Sequence, residues 1–80
     1  MKKTLGSLRG DLIVMLEKYE LLYEDMAVVT DKEEITITFT RKNDTRQFQR
    51  FIHYLNRENL NYTAYFCPKT KRIKVTAYTE

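Results

Sequence analysis

At 80 residues the chain is too short for two independent cores, and with one His and one Cys it has neither a zinc-binding set nor a cysteine pair for redox work or a disulfide framework. Hydrophobic residues make up 42% and charged residues 31%, with six Tyr and four Phe, which is the balance of one globular unit rather than a disordered tail. The net charge of +3 hides two opposed halves: residues 1–40 hold five Lys or Arg against eight Asp or Glu, and residues 41–80 hold nine against three.

No stretch approaches the roughly 18 uninterrupted apolar residues of a membrane span. Lys2-Lys3 is followed by Gly, Ser, Arg and Asp rather than by the apolar block of a signal peptide. The expected location is therefore the cytoplasm of a bacterial, archaeal or virus-infected host cell, without membrane contact, and a lone thiol fits a reducing compartment. A core of this size supplies only ~3–5 kcal/mol, which leaves room for self-association.

Leu5, Leu8, Leu12, Met15, Leu16, Tyr19, Leu22, Tyr23 and Met26 recur at three- and four-residue steps. That spacing predicts a helix over about 5–24, with Thr4 or Ser7 as its N-cap. Met26 to Thr30, the polar turn Asp31-Lys-Glu-Glu34 and the alternating Ile35-Thr-Ile-Thr-Phe-Thr40 then read as a hairpin over about 26–40. In its second strand Ile35, Ile37 and Phe39 share the buried face and the threonines the wet one.

Asn43 or Asp44 caps a second helix over about 45–59, whose inner stripe is Phe48, Phe51, Ile52 and Leu55. Tyr62 to Cys67 and Arg72 to Thr79 flank Pro68-Lys-Thr-Lys71 and form a second hairpin over about 62–79. The order helix, hairpin, helix, hairpin (αββαββ) predicts one α+β domain over residues 1–80. Its architecture is a mostly antiparallel four-stranded sheet with both helices on one face.

Attraction to phosphate depends on local clustering of cations, so the C-terminal half carries the candidate surfaces. Arg46, Arg50, His53 and Arg57 follow steps of four, three and four, which at about 100° per residue gathers them opposite the Phe48/Ile52/Leu55 stripe. Guanidinium groups so placed suit successive phosphates or guanine edges, although a solvated outer face needs the same residues. A second cluster, Lys69, Lys71, Arg72 and Lys74, crowds the last hairpin. With Ile73, Val75 and Ala77 inward, alternation turns Arg72, Lys74, Thr76 and Tyr78 outward. On the partner strand it turns Thr63 and Tyr65 outward opposite inward Tyr62, Ala64 and Phe66. Exposed aromatics among cations on a sheet can stack bases, and β-propensity alone selects the same composition. In a two-layer domain the helix stripe and the outer sheet face point in opposite directions.

Gly10, Val14 and Leu21 align on a second narrow stripe of the first helix, outside its main apolar arc, and are the candidate contact for a homodimer. Catalysis has little to work with. His53 lies within the arginine stripe, Cys67 reads as a small apolar filler, and Gly6 and Gly10 build no phosphate loop or nucleophile elbow. Neither a catalytic residue nor a metal, cofactor or small-molecule substrate is expected. Two readings lead, with a toxin or antitoxin component as a third that nothing in the sequence separates from the second. One is a regulatory protein that binds nucleic acid, DNA or RNA, through the basic half. The other is an inhibitor or adaptor of the kind viruses and mobile elements encode, meeting a protein surface, acidic where the basic half is used, by charge complementarity.

Overall fold

The computed structural model describes residues 4–79; residues 1–3, with the Lys2-Lys3 pair, and residue 80 lie outside the described residues. The elements run α1 (Leu5–Lys18), β1 (Tyr23–Val29), β2 (Glu34–Phe39), α2 (Thr45–Arg57), β3 (Tyr62–Cys67) and β4 (Arg72–Tyr78). The sheet order is β1-β2-β4-β3, and each neighbouring pair is antiparallel. This is the expected αββαββ domain. Ile35, Ile37, Phe39, Val75 and Ala77 from the two central strands join Leu8, Leu12 and Leu16 of α1 and Phe51, Tyr54 and Leu55 of α2 in one core. Phe39 sits at its centre, edge-on to Phe48 at 5.3 Å and to Phe51 at 5.8 Å between ring centroids.

Helix α1 starts where the cap chemistry requires: the Ser7 N–H donates to Thr4 Oγ1 at 3.1 Å, which makes Thr4 the cap. It ends earlier than the expected 24. Glu20 takes φ 55°, its N–H reaches the Glu17 carbonyl, and the Leu21 N–H reaches the Leu16 carbonyl at 2.9 Å. This is a Schellman stop, in which the apolar residue past the turn folds back onto the helix. The three- and four-residue spacing of Leu22, Tyr23 and Met26 thus belongs to a turn and a strand, not to a helix, and β1 begins at Tyr23 rather than Met26. Leu21 is 5% exposed and part of the core, which removes it from the proposed dimer stripe; Val14 is 57% exposed and Gly10 is exposed on α1.

The second half repeats the device. Asp44 caps α2, with Gln47 completing a capping box, and the helix stops at Arg57 because Asn59 takes φ 55° and the Leu60 N–H reaches the Leu55 carbonyl at 3.0 Å. The loops between Val29 and Glu34 and between Cys67 and Arg72 also match, each ending on a residue of positive φ, Glu33 at 51° and Lys71 at 57°. With β2 and β4 as antiparallel neighbours, the two αββ units face each other about a pseudo-two-fold through the centre of the sheet.

Asn43, the other candidate cap, does different work. Its Oδ1 accepts the Leu22 N–H and its Nδ2 donates to the Leu22 carbonyl, both at 2.7 Å, tying the α1–β1 corner to the β2–α2 loop. Asn43→Ala is expected to cost about 1–2 kcal/mol in urea denaturation through two lost backbone partners. An effect below about 0.3 kcal/mol would show that water replaces the bridge.

Candidate binding surfaces

The arginine stripe of α2 becomes concave only because α1 ends beside it. Arg46, Arg50 and His53 line an open groove of about 510 Å³ together with Gln49 and with Tyr19, the C-cap residue of α1. Lys18 lies with its Nζ 5.7 Å from the centre of the Tyr19 ring, within cation–π range. Among the described residues that line the groove none is a carboxylate. Arg57 is in the last turn of α2, beyond the groove lining, where a cation complements the helix dipole. Tyr19 was legible in the sequence only as part of the apolar arc of α1. Its place in the groove depends on the Schellman stop that turns the chain there.

The outer sheet face is built otherwise. Strand register lines up Asp25, Thr38, Lys74 and Tyr65 in one row across the four strands and Ala27, Thr36, Thr76 and Thr63 in the next. Hydroxyls pair along it, Thr36 with Thr76 at 2.9 Å and Thr63 with the Tyr78 hydroxyl at 3.2 Å. The register of β1 slips at Glu24, and such a bulge re-aims its side chain. Glu24 reaches Arg72, whose Nε lies 2.6 Å from a carboxylate oxygen as an ion pair without in-line hydrogen-bond geometry, while Nη1 donates to the Thr70 carbonyl. Arg72 is thus committed within the chain, and acidic and basic residues interleave on this face. Tyr65 remains 51% exposed and Tyr78 is half-buried, held by its hydroxyl.

On the helix side, the expected parity of β3 holds, but the cover does not extend to it: Ala64 is exposed and Phe66 is 57% exposed. Two helices over four strands shield the central pair and leave the edges bare. Phe66 forms one wall of a cleft of about 270 Å³ with Phe39, Phe48 and Ile73, and Arg41 and Lys71 also line it. Lys69 is exposed in the adjoining loop, apart from the α2 groove.

Cys67 is not the small apolar filler that its sequence context implies. Its register position opposite Arg72 puts it on the outer face, half-buried, and a hydrogen bond from the Thr70 side chain, then one from the Thr70 backbone, draw its thiol below the ordinary value. The pH midpoint of iodoacetamide alkylation is expected below that of a free thiol, because hydrogen bonds to sulfur favour the thiolate. Thr70→Val should move that midpoint upward, and an unmoved midpoint would discard the assignment to Thr70.

Among the described residues no group of three or more His, Cys, Asp or Glu comes together as a metal site, and no helix is long and apolar enough to cross a membrane. Comparison with models of protein families, with curated proteins and with solved structures finds no match.

Proposed function

We propose that this chain is a small non-enzymatic regulatory protein of the cytoplasm that binds the phosphate backbone of nucleic acid in the groove between the end of α1 and the outer face of α2. The observation that carries this reading is the convergence of Arg46, Arg50, His53 and Tyr19 on one open groove with no carboxylate among its described lining residues. Guanidinium groups one helical turn apart meet successive phosphates, and an aromatic ring beside them offers a stacking face to a base. The sheet face is the weaker candidate, because Glu24 already occupies Arg72 and Asp25 shares a row with Lys74.

The test is a titration of fluorescent single- and double-stranded DNA and RNA at two salt concentrations. Phosphate contacts make the logarithm of affinity fall linearly with the logarithm of salt, with a slope that counts them. Salt-dependent binding supports the reading and ranks the substrates; absence of binding at low salt overturns it.

A protein partner is the second reading, favoured by the aromatic cleft at Phe66 and Phe48, whose charged lining is Arg41 and Lys71 with the helix-capping Asp44. An acidic peptide with an apolar anchor fits that chemistry, as an inhibitor or adaptor from a virus or mobile element would use it. Phe66→Ala would weaken such a partner and leave oligonucleotide binding unchanged.

A further inference from the structure

We infer that β3 is a self-association edge, at which two copies of this chain pair antiparallel to join their sheets. The direction of the backbone groups follows from one contact. The Tyr78 N–H donates to the Asn61 carbonyl at 2.9 Å, in continuation of the β3–β4 register. In an antiparallel ladder, residues that bond to the neighbour alternate with residues that point away. Asn61, Thr63 and Tyr65 therefore face β4, and Tyr62, Ala64 and Phe66 aim their N–H and carbonyl groups at the free edge.

Sheet edges are commonly blunted by charge, proline or a bulge. The other edge, β1, has two of these, the carboxylates of Glu24 and Asp25 and the register slip between Tyr23 and Asp25. Strand β3 has none: Tyr62-Thr-Ala-Tyr-Phe-Cys67 is uncharged, lacks proline and pairs with β4 in unbroken register. Its side chains are open as well, with Ala64 exposed and Phe66 57% exposed.

A two-fold axis at Ala64 satisfies this edge. Ala64 then lies opposite Ala64 of the second copy and Tyr62 opposite Phe66 of the second copy, each pair exchanging both N–H···O bonds and covering Phe66 with a tyrosine ring. The antiparallel arrangement also brings the loop after β3, with Lys69, toward the start of the second copy's β3, where Glu58 stands at the negative end of its α2. Lys71 follows on that loop, so cation meets acid on both sides of the axis. A second copy is the occupant this charge pattern selects, and the interface uses neither the α2 groove nor the Val14 surface of α1.

Analytical ultracentrifugation from about 10 µM to about 1 mM, the range in which a small interface associates, is expected to show a monomer–dimer equilibrium. Over the same range, hydrogen exchange at the amides of Ala64 and Phe66 should slow with concentration while that at Thr63 and Tyr65 stays constant. Ala64→Lys faces two ammonium groups across the axis and is expected to raise the dissociation constant at least about tenfold; its circular dichroism should be unchanged because the side chain is exposed. Lys69→Glu should weaken the dimer and Lys69→Glu with Glu58→Lys restore it. A wild-type chain that stays monomeric at 1 mM, a dimer indifferent to Ala64→Lys, or protection arising at Met26 and Val28 of β1 instead would each overturn the inference.

Discussion

Phe39→Ala is expected to remove ~3–5 kcal/mol of stability, the usual cost of deleting a fully buried aromatic side chain. Phe39 is 1% exposed and its ring is the common neighbour of Phe48 and Phe51, so the cavity opens between β2 and α2, where backbone cannot collapse into it. The total for a chain of this length is about 4–12 kcal/mol. One substitution therefore removes about a quarter of it at least, and in the lower part of that range leaves the chain unfolded at room temperature. Phe66→Ala is the control, since a residue 57% exposed on an edge strand gives up little buried area. Urea denaturation followed by far-ultraviolet circular dichroism measures both. Equal losses for the two variants would mean that the core is not centred where the ring geometry places it.

The second large effect concerns binding. Arg46→Glu with Arg50→Glu is expected to lower the affinity for the preferred oligonucleotide more than about tenfold, or 1.4 kcal/mol, and to reduce the salt slope by about two. Both positions are exposed on α2, and a glutamate at 46 sits in its first turn, where negative charge is favourable, so the fold is retained. Lys69→Glu with Lys71→Glu reverses as much charge on the last hairpin, away from the groove. If that pair abolishes binding and the arginine pair does not, the phosphate-binding surface is the hairpin and the groove is a solvated helix face.

Much of the architecture was legible in the residues, for local physical reasons. Ile35, Ile37 and Phe39 alternate with threonine at the strand period, and all three are buried. Asp44 with Gln47 carries its own capping box, and Pro68 with the polar residues after it fixes the second loop, so β3 ends at Cys67 as read. The end of α1 was not legible. Leu16, Glu20 and Leu21 satisfy helical periodicity as well as they satisfy a Schellman stop, and only the gain from burying Leu21 on Leu16 and the core decides between them.

The basic stripe divides the same way. Its membership followed from the spacing of Arg46, Arg50, His53 and Arg57, because a helix converts sequence steps into angles. That it forms a groove, that Tyr19 closes one side and that Arg57 lies outside are consequences of where α1 stops, more than 25 residues earlier in the chain. The pairing of Arg72 with Glu24 likewise needed the strand order, which sets β2 between their strands and lets a bulge aim one at the other. The sequence by itself determined the order of the elements, the buried faces of β2 and α2 and the charge of each half, since these depend on neighbours along the chain. Which cations stay available and which edges stay bare only the tertiary structure decided, because both depend on what two short helices can cover on a sheet of four strands.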